Sequence, residues 1–207
     1  MAEKNTEDIK AVFNLALSDR FELEDLNENR HIYLNCEVDE DVINNAVYHV
    51  LRFNRIDKSV PVEERKPIII FINSPGGQVV EGWALIDAIT NSKTPVYTVN
   101  LGQCASMAFM IAIAGHKRYA MPHSEYMMHA GYCGAFDDLN KVKDRIDFET
   151  GEMEQMTRHF ILTHTDMESE FYDKKYRCDF YFLTDTAKSL GVVDYVIGHD
   201  CVLDEVI

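Results

Sequence analysis

The sequence predicts an α/β fold built on a mainly parallel sheet, and three observations carry that prediction. First, IIIFIN at 68–73 and PVYTVN at 95–100 are short, continuous runs rich in β-branched residues, as strands buried on both faces should be. Second, each run passes through a turn of small residues into a stretch with helical apolar spacing, QVVEGWALIDAI and SMAFMIAIAG. Third, the helix-to-strand connections are short, which favours parallel neighbours and right-handed crossovers.

Taken in order, residues 1–29 are rich in Asp, Glu and Asn and read as an N-terminal arm, with one weakly amphipathic piece, IKAVFNLAL. HIYLN at 31–35 reads as a strand. Asp39 is placed to cap the next helix, whose expected inner face is Val42, Ile43, Ala46, Val47, Val50 and Leu51. DKSVPVEERKP at 57–67 is a polar loop. After the two buried strands and their helices, RYAM and EYMMH are two further short strands. LGQCA is read as the link from PVYTVN to its helix. Beyond the loop AGYCGAF, Leu139, Val142, Ile146, Met153, Met156 and Phe160 recur in steps of three and four, with Glu149 filling the one gap. That pattern predicts a long helix from about Asp137 to His164 with a single apolar stripe. Such a helix either packs on its own domain or protrudes and meets another subunit; periodicity alone leaves both open. The domain plan is therefore an arm at 1–29, a head at 30–135 and 165–207, and a handle helix at 136–164.

The bulk chemistry removes several function classes. Twenty Lys and Arg stand against 35 Asp and Glu, a formal charge of −15. Nucleic acid and anionic membrane surfaces both require basic clusters that such a balance does not provide. The five cysteines are odd in number, widely spaced and free of any C-x-x-C, so neither a disulfide framework nor a zinc site is expected. The acidic start MAEKNTEDIK does not read as a signal peptide, and no apolar run approaches a membrane span. A cytoplasmic protein is expected.

Two stretches can carry chemistry. In NSPGG at 73–77 a buried strand gives way to two glycines and a helix. Glycine there lets a backbone N–H point outward beside the positive end of a helix dipole, a possible anion or oxyanion site. It is no P-loop, since Gln78 and Val79 follow the second glycine. On its own it reads more readily as a tight strand-to-helix turn. Ser106, in GQCASM, has the strand–turn–helix placement of a nucleophile, without the G-x-S-x-G spacing. A serine there is also a good helix cap. A nucleophile needs a base and an orienting acid. Of eight histidines, His129 ends a strand beside a glycine-containing loop, whereas His116 and His123 lie in turns and His159 and His164 on the long helix. Spacing does not choose among them, still less among 35 acids.

Read together, INSPGG, GQCASM with its helix, RYAMPHSEYMMH, the long helix and CDFYFLTDTAKSLGVVDYVI resemble the proteolytic subunit of the Clp protease, over about Arg30 to Ile197. The resemblance implies the Clp/crotonase-like fold and a serine endopeptidase that cleaves unfolded polypeptides or peptides inside a self-compartmentalised ring barrel. It implies Ser106 as nucleophile, His129 as general base and Asp179 as the acid, with the backbone N–H groups of Gly77 and Met107 as oxyanion hole. It implies no metal and no cofactor for this chain, ATP being used by a partner. The implied partners are further copies of the chain, as a heptameric ring stacked into a tetradecamer, and an AAA+ unfoldase of the ClpX or ClpA type.

The sequence departs from the family pattern at four places. FELEDLNENR replaces the usual axial-loop motif and basic, apolar run, which puts docking of a standard unfoldase in question; Ala130-Gly131 replaces Gln-Pro after the histidine. Cys178 stands where an arginine usually precedes the acid, and the turn before RYAM is about two residues shorter. Two other functions fit parts of the pattern: a non-catalytic or accessory ring subunit that binds partners, and a crotonase-type acyl-CoA enzyme sharing the glycine turn. A serine–lysine dyad would need Lys117 or Lys141 to reach Ser106.

Overall fold

The computed structural model describes residues 17–131, 134 and 136–207. Most of the expected arm, including nearly all of IKAVFNLAL, and part of the loop AGYCGAF lie outside these residues.

The described chain begins with α1 (Leu17–Glu24) and a π-helical turn at Asp25–Asn29, which lead into β1 (His31–Leu34). Asp39 does cap the following helix, accepting the Asp41 N–H at 3.0 Å. The helix passes through a π-helical stretch, Ile43–Val47, into α2 (Tyr48–Ile56). Its inner face differs from the expected one: Val42, Ala46, Val50 and Phe53 are buried, while Ile43 and Leu51 face solvent. The buried positions follow one i, i+4, i+8, i+11 row, so the inner face is a narrower stripe than the expected one, and the residue after each of its first and third members turns outward. There follow β2 (Ile68–Ser74), α3 (Val79–Thr90), β3 (Val96–Ala105), α4 (Met107–Ile113), β4 (Lys117–Ala120) and β5 (Glu125–Met128).

The expected long helix is present as α5 (Leu139–Phe148), a π-helical stretch at Glu149–Met153, and α6 (Glu154–His164). Asp138 caps it, accepting the Asn140 N–H. The gap in the apolar stripe at Glu149 is where the π stretch starts. Only the C-terminal half packs on the body, through Phe160 and Ile161; Leu139, Ile146 and Met156 are exposed. The chain closes with α7 (Ser169–Lys175), β6 (Phe180–Leu183), α8 (Thr184–Ser189) and β7 (Tyr195–Val196).

The strands form one sheet in the order β1-β2-β3-β4-β7, with β5 added to the far end of β3 and β6 to β5. Every pairing is parallel except β5 with β6. Strand β2 is buried on both faces as expected. Ile68, Ile70 and Ile72 join the main core with α2, α3 and α4, whereas Ile69 and Phe71 join a smaller cluster with Val99, Tyr119, Ile197 and Val206. Every residue of α4 is buried, so the helix that follows Ser106 is fixed from all sides.

One buried ion pair ties the edge of the sheet to the loop after α2. Arg30 forks onto Asp57 at 2.6 and 2.8 Å, and Thr94 Oγ1 donates to the same carboxylate at 2.9 Å. Asp57 is only 2% exposed. The Arg30 hydrogen bonds, aided by Thr94, hold its carboxyl below the usual carboxylate range, against the opposing effect of burial. The lowered native value means the pair stabilises fully above the unfolded pKa of about 4 and is lost as pH falls through the lower native value. Asp57→Ala strands the guanidinium and is expected to cost about 3 kcal/mol at neutral pH. Urea unfolding of both proteins should give a gap that is constant above about pH 5 and shrinks below about pH 4. A gap independent of pH would dissociate the cost from the charge.

Candidate active site

Strand register assembles the site. LGQCA is not a link: β3 runs on to Ala105, because β5 supplies a second neighbour where β4 ends. Gln103, Cys104 and Ala105 pair in parallel with Glu125, Tyr126 and Met127. The next residue, Ser106, continues this ladder by donating its N–H to Met127 O at 2.9 Å. The chain then reverses sharply into α4. Ser106 takes φ 53° and ψ −121°, a conformation that side-chain-bearing residues rarely adopt and that costs of order 1–3 kcal/mol. Strand, strained serine and helix make the geometry of a nucleophile elbow without its usual sequence. The capping alternative is not realised, since the hydroxyl makes no bond to the first turn of α4. It lies 2.7 Å from His129 Nε2 instead.

The same logic brings in the acid. Strands β5 and β6 are antiparallel, with Met128 opposite Phe180. Extending that register by one residue sets His129 opposite Asp179. His129 Nδ1 lies 3.6 Å from Asp179 Oδ1, an ion-pair separation too long for a hydrogen bond. The imidazole is well shielded, with 8% of its side chain exposed, while the carboxylate is half open at 48%. A triad commonly tightens only around substrate.

The glycine turn lies against the serine. Strand β2 ends at Ser74, whose Oγ accepts the Gly76 N–H at 3.2 Å. Gly76 and Gly77 have φ of 94° and 152°, both in the region that favours glycine. Val38 clamps the turn: its N–H donates to Gly76 O at 2.8 Å, and its carbonyl accepts the Gln78 N–H at 2.6 Å. A Cβ on Gly76 would stand 2.5 Å from Ala105 O and 2.8 Å from both Met107 N and Ser106 Cβ, so the two turns are in backbone contact. The N–H groups of Gly77 and Met107 have no acceptor among the described residues. Met107 is the first residue of α4, where a free N–H is inherent to the helix.

A cleft of about 280 Å³ opens at this point, bounded by Ser106 and His129 on one side and by the handle stretch on the other. Ala130 and Gly131, which replace the family's Gln-Pro, lie on its wall.

Several of the alternatives that spacing left open are engaged elsewhere in the structure. His116 accepts the Val96 N–H at 2.9 Å and serves the fold. His164 stacks on Phe160. Lys117 sits over the Tyr97 ring and Lys141 pairs with Asp137 on the exposed end of α5, so neither reaches Ser106. Sequence reasoning missed Val38 and Met127, which act through backbone atoms alone and so leave no residue-type signal. Gly76 had one, the doubled glycine of NSPGG, but its contact with the serine turn is non-local. Among the described residues no helix is long and apolar enough to cross a membrane, and no group of three or more His, Cys, Asp or Glu could hold a metal ion.

Comparison with known proteins points the same way. The family model described as Clp protease matches residues 19–200. The chain is 32% identical over 179 residues to "ATP-dependent Clp protease proteolytic subunit 3" of Parasynechococcus marenigrum (strain WH8102), covering 84% of this chain and 85% of that protein. It is 31% identical, again over 179 residues, to "ATP-dependent Clp protease proteolytic subunit 2" of Prochlorococcus marinus (strain MIT 9312), covering 84% of each. A match across nearly the whole head and handle, to relatives of the same length, identifies the chain as a member of the Clp protease family and hence as a serine-type endopeptidase.

Proposed function

We propose that the chain hydrolyses unfolded polypeptides or peptides by acyl-enzyme chemistry at Ser106, inside a barrel of stacked heptameric rings. The observation that carries the reading is the 2.7 Å approach of Ser106 Oγ to His129 Nε2. In the neutral imidazole, Nδ1 carries the hydrogen and faces Asp179, leaving Nε2 free to accept the serine proton as Oγ attacks the carbonyl. Asp179 holds that tautomer and stabilises the imidazolium. The tetrahedral oxyanion is stabilised by the Gly77 and Met107 N–H groups, each such donor being worth roughly 3 kcal/mol of barrier. His129 then protonates the leaving amine, and water, activated by the same imidazole, releases the acyl group.

The bare apolar residues of the handle support assembly. Leu139, at 86% exposed, with Ile146 and Met156 forms a stripe that a second ring would cover. The proteins it resembles are named ATP-dependent; for this chain ATP hydrolysis is assigned to an AAA+ unfoldase of the ClpX or ClpA type, and the chain itself requires neither metal nor cofactor. The acidic FELEDLNENR, which forms much of α1 and the turn after it, makes the docking face of this partner unlike the family's usual one.

Native mass spectrometry combined with a fluorophosphonate probe tests both halves. The expected result is a tetradecamer carrying one adduct per chain, at Ser106. A monomer without label would refute the proposal; a labelled single ring would keep the chemistry and refute the stacking.

A further inference from the structure

We infer that the cleft beside Ser106 selects substrates with a lysine or arginine on the acyl side of the scissile bond, through the carboxylate of Glu154. The inference rests on the catalytic reading above and adds the substrate class. Near Ser106 the walls are apolar, with Trp83, Met107, Met110 and Met128 among them. Opposite, the π-helical stretch and the start of α6 contribute Glu149 and Glu154. π-Helical turns recur at functional sites, and this one lines the same cleft as Ser106.

The two carboxylates are not equivalent. Glu149 is paired with Arg145, one turn back on the handle. Glu154 has neither an ion-pair nor a hydrogen-bond partner among the described residues, and no lysine or arginine lines the cleft. Burial first, and with it the negative potential of Glu154 and Glu149, pushes the Tyr176 hydroxyl up, and Tyr176 lines the same cleft. A substrate side chain entering the cleft from Ser106 therefore meets apolar walls and, among them, the unpaired carboxylate of Glu154. Lysine and arginine match that lining: their stems bury against apolar walls while their cationic ends reach a polar partner. An apolar residue of the same length fills the walls equally well but desolvates Glu154 without pairing it, which is unfavourable.

The test compares the rates at which two peptidyl diphenyl phosphonates phosphonylate Ser106, Oγ bonding to phosphorus as phenol leaves, in the assembled full-length protein. They differ only in the residue next to phosphorus, lysine or methionine. Because the readout is a covalent rate, turnover is not needed. The lysine probe is expected to react about tenfold faster, the effect of one charge-assisted contact. In Glu154→Gln the ratio should fall to about one, and in Glu154→Lys it should invert. A structural role for Glu154 would lower both rates together and keep the ratio, which would overturn the inference, as would a methionine preference in the wild-type protein. If the fluorophosphonate itself fails to label Ser106, the catalytic reading fails and the inference with it. Normal fluorophosphonate labelling without a lysine preference sinks the inference alone.

Discussion

Ser106→Ala is expected to abolish peptide hydrolysis, with kcat falling about a million-fold, toward the residual rate left by the oxyanion hole and binding alone. The size follows from the unit formed by Ser106 and His129 at 2.7 Å: remove Oγ and the imidazole has no proton to take. The same position offers a control that separates chemistry from fold. Ser106 is held at φ 53°, ψ −121°, and alanine inherits that strain, so the melting temperature of Ser106→Ala should stay near wild type. Glycine adopts the conformation freely. Ser106→Gly should be equally inactive yet about 1 kcal/mol more stable, a rise of about 2–4 °C. Fluorogenic peptide assays and calorimetry on the three proteins decide the matter. Hydrolysis by Ser106→Ala within a hundredfold of wild type would remove the serine from the reaction. A destabilised Ser106→Gly would show that the turn is not strained.

The parts of this site that were legible in the sequence are those whose signal is local. The run IIIFIN announces a buried strand, and NSPGG announces a turn that needs glycine. Position 106 can be placed before a helix from spacing alone, where an isolated serine reads more readily as a cap than as a nucleophile. The acid was another matter. Among 35 carboxylates, Asp179 could be selected only by resemblance to a known family. What places it is the antiparallel register of Met128 with Phe180, a pairing across 52 residues of chain that no window contains. The extension of β3 through Gly102, Gln103, Cys104 and Ala105 is hidden from the sequence for a related reason. Those residues have little β propensity, and they are extended because β2 and β5 both pair with them. The handle stripe was read correctly as a pattern, yet a pattern states which residues are apolar and not what covers them; Leu139 and Ile146 are apolar and bare.

Gly76 is where fold and chemistry meet most tightly, and Gly76→Ala carries the second large effect. The backbone there has φ 94°, and the added methyl would fall 2.5 Å from Ala105 O and 2.8 Å from Met107 N and Ser106 Cβ. None of these atoms lies at the end of a side chain that could rotate away. Relief requires the 76–77 turn to lift off the serine turn, which breaks the Val38 clamp and carries the Gly77 N–H with it. Two consequences are separable. Stability should drop by about 3 kcal/mol, strain and overpacking combined. Acylation should slow by about 100- to 1,000-fold, because one of two oxyanion donors no longer points at the developing charge. A donor that acts only in the transition state lowers kcat while leaving KM nearly unchanged. Gly198→Ala is the matched control, with φ 88° but nothing within 4 Å of the new Cβ, at a residue that does not line the cleft. It should show the backbone cost, about 1 kcal/mol, and full activity. If Gly76→Ala behaves like this control, the contact between the two turns has no catalytic meaning. If it loses kcat selectively, the glycine turn positions the oxyanion hole, which is a task that only a residue without a side chain can perform at that distance.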